Sequence, residues 1–133
     1  MTEANNSVSD QEFKKVIADF IDQGLVENIV VMFRREPRYL RWSGELLKDE
    51  RLNVRLGMAI LFEELQSLIP DQLPLAIPSL RFLLGEKEPL WRGEAIGLLG
   101  FIVNEEARAL IESMQNDPSP QVREIVALIL EDR

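Results

Sequence analysis

The chain has 133 residues, of which 46% are hydrophobic and 29% charged, and its 23 acidic and 15 basic side chains give a formal net charge of −8. This composition is typical of one soluble globular domain, and its acidic balance argues against a general affinity for nucleic acid or anionic lipid. The absence of cysteine and histidine excludes disulfides, thiol nucleophiles, histidine acid–base chemistry and the usual zinc or haem sites. We therefore expect a non-catalytic module without a cofactor or a metal.

The N-terminal residues 1–8 are polar and lack the basic and apolar regions of a secretory signal. No apolar run approaches the roughly 20 residues needed to cross a bilayer. The sequence therefore predicts a disordered N-terminus over 1–8, a cytoplasmic location and no membrane partner.

Helical periodicity describes the rest of the chain. Ser9 and Glu12 form a capping box, and apolar residues then recur at helical spacing until Gly24 ends the first helix. A second helix ends before Pro37, which opens a third. No segment alternates apolar and polar residues as a strand would. The pattern predicts eight helices and an all-α fold, with the later helices at about 37–48, 52–67, 73–84, 88–103, 105–116 and 119–131.

Three segments of the sequence align without gaps. Each places an acid six residues before an arginine, and the arginines lie 37 and 31 residues apart. The position before the arginine and those three, six and seven after it are apolar in every copy. This period is typical of stacked helical hairpins, in which each unit buries its apolar face against its neighbours. The pairs are Asp49 and Arg55, Glu86 and Arg92, and Asp117 and Arg123.

The Asp-(x)5-Arg element and the dipeptides Val54-Arg55 and Val122-Arg123 resemble the HEAT-repeat family, including short bacterial proteins related to the HEAT-like repeats of phycobilin lyases. The segment 75–80, which carries a proline, resembles the first helix of such a repeat. The middle copy departs from the family pattern, with Glu86 for Asp and Trp91 for Val. The motif is loose, so it specifies architecture rather than activity.

The resemblance implies a right-handed α-solenoid of about four antiparallel helical hairpins. It divides one domain, 9–133, into a degenerate hairpin over 9–35 and HEAT-like repeats over 37–67, 73–103 and 105–133. Each acid can cap the start of a helix, and each arginine can pair with an acid of its own or the adjacent repeat. The alternative is that these arginines bind an anionic ligand.

In the resembled family, the second helices of the hairpins line the concave face. Positions on that face form an acidic floor with apolar islands, which suits a basic or amphipathic segment of a protein partner. Glycines inside a helix cost about 0.5–1 kcal/mol each, so close approach of a neighbouring helix or of a partner is expected at Gly93, Gly97 and Gly100. The predicted partner-binding residues are Gly57, Ile60, Glu64, Gly93, Glu94, Gly97, Phe101, Glu124, Ile125 and Leu128.

The helix over 119–131 has a wider apolar surface than a one-sided contact requires. Because the terminal units of a solenoid normally carry a polar outer face, Ile125 and Leu128 predict self-association, as a homodimer, or a partner contact. Trp91 is expected in the core.

Two alternative functions remain open. Four arginines interleaved with aromatic residues could bind phosphate or nucleic acid; they are Arg34, Arg35, Arg38 and Arg41. Otherwise, Arg34 and Arg35 end a helix where cations suit its dipole, and Arg38 and Arg41 pair with carboxylates such as Glu45. An enzyme or enzyme accessory similar to the HEAT-like chromophore lyases is the other alternative. Without histidine or cysteine it would depend on carboxylates, Tyr39, hydroxyls and lysines.

Overall fold

The computed structural model describes residues 9–132, and within this range it contains eight α-helices and no strand. The all-helical prediction is confirmed for these residues, while the predicted disordered segment 1–8 lies outside them. Short 3-10 helices at Pro37–Trp42 and Leu73–Ala76 lead directly into two of the α-helices. The helices are α1 (Asp10–Asp22), α2 (Val26–Arg35), α3 (Ser43–Leu47), α4 (Leu52–Leu68), α5 (Ile77–Leu83), α6 (Pro89–Leu99), α7 (Glu105–Glu112) and α8 (Pro120–Glu131).

Local sequence signals set several helix ends. The Ser9 hydroxyl accepts the Glu12 N–H at 3.1 Å and the Glu12 carboxylate accepts the Ser9 N–H at 3.1 Å, which completes the predicted capping box. Gly24 follows α1 with a φ of 84°, in the left-handed region that glycine adopts without strain. Proline is the first residue of α6 and of α8, where its missing N–H is not needed.

Two helices end about four residues earlier than the sequence predicted. Beyond Leu99, Phe101 and Ile102 donate to the carbonyl oxygens three residues back rather than four. After Glu112, the N–H groups of Met114 and Gln115 likewise donate to the carbonyl oxygens three residues back. Tight turns can bury side chains as helices do, so the apolar pattern continues beyond the end of each helix. For this reason the predicted helix ends at 103 and 116 were wrong.

The even-numbered helices pack in a row. α2 contacts α4, α4 contacts α6, and α6 contacts α8. On the other side of the shared core, α3 contacts α5, and so do the 3-10 turns that precede them. Each helix thus packs mainly against helices that are near it in sequence, and the row brings α6 and α8 together at the site described next.

Candidate functional site

The three aligned arginines share one set of contacts. In each, Nη1 donates to the backbone carbonyl oxygens six and five residues earlier, in the loop before the helix. These bonds satisfy carbonyl groups that no helix or sheet pairs. The sequence predicted carboxylate partners and missed the carbonyls, although the constant spacing was the signal for them. The bonds run from Arg55 to Asp49 O (2.9 Å) and Glu50 O (3.0 Å), from Arg92 to Glu86 O and Lys87 O (2.8 Å each), and from Arg123 to Asp117 O (2.7 Å) and Pro118 O (3.1 Å).

Asp117 joins α6 to the start of α8. Its carboxylate accepts two hydrogen bonds from Arg92, from Nε and Nη2, at 2.8 Å each, and a third from the Ser119 N–H at 2.9 Å. The side chains of Arg92 and Asp117 are 12% and 4% exposed. The hydrogen bonds from Arg92 hold the pKa of Asp117 below its usual range. Of the two arrangements predicted for the arginines, Arg92 therefore adopts the pairing with an acid of the adjacent copy.

The corresponding junction between Arg55 and Glu86 does not form. Glu86 pairs with Lys48 at 3.0 Å instead. Arg55 lies over the Trp91 ring, 5.9 Å from its centroid, and its buried Nε is 3.5 Å from Glu94 without a hydrogen bond. The acid of the next motif is therefore not the partner of Arg55, whose ion pair is with another acid of the adjacent segment, Glu94 on α6.

Asp49 is held by another residue of its own loop. Arg51 donates to its carboxylate at 3.0 and 2.9 Å and reaches Asp19 of α1 at 2.9 Å. Asp49 also accepts the Arg51 N–H at 2.9 Å. It therefore holds the loop before α4 rather than capping the N–H groups within the helix.

A groove runs along α6 beside α8. It is lined by Leu90, Gly93, Glu94, Gly97 and Ile125, and we call it the α6–α8 groove. At Gly97 it continues into a second depression, lined by Phe101 and Gln66, whose Nε2 donates to Phe101 O at 2.9 Å. Leu90 and Gln66 were missed from the sequence, although Leu90 precedes Glu94 by one turn and therefore shares its helix face.

The three glycines of α6 and the turn after it have different surroundings. A Cβ added at Gly93 would lie 2.9 Å from Ile125 Cδ1, and one at Gly100 would lie 3.2 Å from Ile129. These two glycines therefore allow α8 to approach. At Gly97, an added Cβ would meet nothing within 4 Å. Gly97 leaves an open notch in the floor of the groove, which α8 does not fill.

Five of the ten predicted partner-binding residues line these connected depressions. Ile60 and Glu64 are exposed on α4 away from the groove, while Glu124 and Leu128 lie on the outer side of α8. Gly57 is buried, and an added Cβ would collide with Ile21 Cγ2 of α1. Gly57 and Ile60 line a separate depression beside α1 and α2. The five that meet are Gly93, Glu94, Gly97, Phe101 and Ile125.

Glu94 supplies an acidic group to the groove wall. Its carboxyl is half-buried, and this burial raises the pKa of Glu94, while the nearby Arg55 guanidinium opposes the rise. A desolvated carboxylate of this kind gains from a cation that approaches it. The groove therefore combines apolar walls, an open notch and one acidic group.

The aromatic residues between the predicted phosphate-binding arginines face inward. Phe33 and Tyr39 are buried, and Trp42 packs edge-on against Phe13 with centroids 6.0 Å apart. Phe33 and Tyr39 are therefore not available to stack on bases, whereas Trp42 is half-buried. Trp91 is buried as well, as predicted.

The arginines of this segment differ in their partners. Arg38 pairs with Glu36 at 3.0 Å and lies over Tyr39, whereas Glu45 pairs with Lys14 at 2.9 Å. The predicted use of Glu45 as an arginine partner was therefore wrong. The other three arginines are exposed and form no ion pair with a residue of the described range; they are Arg34, Arg35 and Arg41.

Comparisons with protein-family models, curated proteins and solved structures find no match for this chain. Over residues 9–132, no helix has both the length and the apolar character to span a membrane. In the same part of the chain, no three acidic side chains converge as a metal site. The interpretation of the site therefore depends on its own geometry.

Proposed function

We propose that this protein is a non-catalytic interaction module that binds a basic or amphipathic segment of a protein partner in the α6–α8 groove. In this proposal the chain is a short right-handed α-solenoid of four HEAT-like hairpins. The row of contacts from α2 to α8 supports this architecture, as do the shared carbonyl contacts of the three arginines.

The observation that carries the proposal is the open notch at Gly97. An apolar side chain of the partner fits between Leu90, Phe101 and Ile125 above this glycine. A lysine or arginine next to it on the partner would reach Glu94, and pairing would lower the raised pKa of that carboxyl. Recognition of this kind places an apolar anchor in a pocket and a charge at its edge.

The contacts of the aligned arginines favour this function over anion binding by the same residues. Nη1 of each arginine already donates to two carbonyl groups, and Arg92 also holds Asp117 through its other nitrogens. All three guanidinium nitrogens of Arg92 are thus in use, and an anion would have to break these bonds. The arginines therefore support the scaffold, and the groove is the surface left for a partner.

The test is quantitative affinity capture from cell lysate with the tagged protein and its variants. We expect Gly97→Leu, which fills the notch, and Glu94→Gln, which removes the charge, each to lower recovery of the specific partner at least about tenfold, since pocket anchors dominate interfaces. Ala109→Leu also introduces a leucine, and Glu63→Gln also removes a carboxylate, but both lie at exposed sites outside the groove and should leave recovery unchanged. Equal recovery with Gly97→Leu and wild type would refute the proposal.

A further inference from the structure

The outer side of α8 is an exposed helix face. Val122 and Val126 are buried toward the core, and the opposite side exposes Glu124, Leu128 and Glu131. The Leu128 side chain is 57% exposed. Residues 120–132 contain three acidic side chains and one basic side chain, so this helix is net acidic. This face therefore combines an apolar centre with acidic flanks.

The outer side of α2 has the opposite charge at its end. Val26 and Phe33 are buried, and the opposite side exposes Val31, Arg34 and Arg35. Val31 is 49% exposed. The two arginines form no ion pair with a described residue, and residues 34–41 contain four arginines and one acid. An apolar residue thus has unpaired cations one turn beyond it.

The two faces occupy opposite sides of the same row of helices. The contact between neighbouring even-numbered helices is made three times, from α2 to α4, α4 to α6 and α6 to α8. The α2 of a second copy set beside α8 would make that contact a fourth time. In a parallel arrangement, Val31 meets Leu128, and Arg34 and Arg35 meet Glu131, because on both helices these charges lie about one turn after the apolar residue. The same register sets the exposed Glu27 beside Glu124, which is one pair of like charges.

We infer that the chain associates head to tail, with the outer face of α2 of one copy docked on the outer face of α8 of the next. A symmetric homodimer through α8, the arrangement predicted from the sequence, would set Glu124 and Glu131 against the same residues of the partner copy. Like charges placed opposite one another oppose such a contact. The heterologous contact instead sets two arginines against Glu131 with one like pair, Glu27 and Glu124, and because it continues the row of helices it adds copies in an open series.

Sedimentation of the full chain over a concentration series tests this inference. We expect the average mass to rise without a plateau at low salt and to fall when salt is added, because exposed charge pairs are screened. One variant, Leu128→Lys with Glu131→Lys, breaks the α8 face, and another, Arg34→Glu with Arg35→Glu, breaks the α2 face. Each should weaken association at least about tenfold, since like charges then meet at the contact.

Mixing the two variants gives the decisive result. Each retains the face that the other lacks, and the two changed faces carry opposite charges, so the mixture should associate again although neither variant does so alone. Unchanged helical circular dichroism and the regained association together exclude misfolding. Gly97→Leu serves as a control and should not change the mass, which separates this inference from the function of the groove.

Three results would overturn the head-to-tail contact. The first is a single monomeric mass for the wild type at every concentration. The second is a closed dimer that the α8 variant abolishes and the α2 variant leaves intact, which is the behaviour of a symmetric homodimer. The third is a mixture of the two variants that remains monomeric.

Discussion

Gly44 of α3 and Gly97 of α6 are glycines within helices, and their surroundings are opposite. Gly44 donates its N–H to Ser79 Oγ of α5 at 2.9 Å, and an added Cβ would collide with the Ser79 carbonyl group. An added Cβ at Gly97 would meet nothing within 4 Å. One glycine is required by a helix contact within the fold, whereas the other leaves space. Only the open space at Gly97 is available to a partner.

The largest loss of stability is expected from Gly44→Ala, at the contact between α3 and α5. The added methyl group has to displace backbone of α5 rather than the end of a flexible side chain. We expect a loss of about 3 kcal/mol in the free energy of unfolding, as for overpacked cores. Urea denaturation with an unchanged slope would measure it. A loss below about 0.5 kcal/mol would show that α3 and α5 are not tightly packed here.

Asp117→Asn tests the buried ion pair that joins α6 to the start of α8. Asparagine keeps an acceptor for the Ser119 N–H but loses the charge that Arg92 binds. We expect a loss of about 2 kcal/mol, the size of a hydrogen-bonded charge. Asp71→Asn, at an exposed loop position, is the matched control and should be neutral. Equal stability of the two variants would mean that the buried pair contributes nothing to the contact.

The same pair predicts a dependence of stability on pH. Because Arg92 lowers the pKa of Asp117 in the folded state, its stabilising contribution is complete above the unfolded pKa of about 3.9 and is lost as the pH falls through the lower folded value. The free energy of unfolding, measured between about pH 5 and pH 2, should therefore fall less steeply with decreasing pH for Asp117→Asn than for wild type. An equal fall in the two proteins would contradict the assigned direction of the pKa shift.

The smallest effect on stability is expected at the open notch. Gly97→Ala adds a methyl group without a clash and reduces the freedom of the unfolded chain, so the free energy of unfolding should be unchanged or up to about 1 kcal/mol higher. A thermal melt beside Gly44→Ala gives the contrast directly. A loss as large as that of Gly44→Ala would show that the notch is closed in solution.

Much of this fold follows from the sequence, because apolar spacing, proline and caps act locally. The eight helices could be predicted, and so could the buried position of Trp91. The position of a residue on its helix was enough to find most of the groove. The contact between Gly57 and Ile21 could not be predicted in this way, because Ile21 belongs to a helix outside the three aligned segments.

Contacts to backbone groups were also beyond the sequence. The spacing of Asp117 and Arg123 suggested a bond between side chains, but Arg123 Nη1 donates to the Asp117 carbonyl oxygen. Every residue has a backbone carbonyl group, so its use as an acceptor cannot be predicted from the identity of the residue. For the same reason, Phe101 gave no sign that Gln66 would bind its carbonyl group.

Gly97→Leu tests most directly whether the notch at Gly97 serves a partner rather than the fold, when unfolding and affinity capture are measured on the same preparation. We expect a free energy of unfolding within about 1 kcal/mol of wild type and recovery of the specific partner at least about tenfold lower. A folded variant that recovers the partner as well as wild type would contradict this expectation.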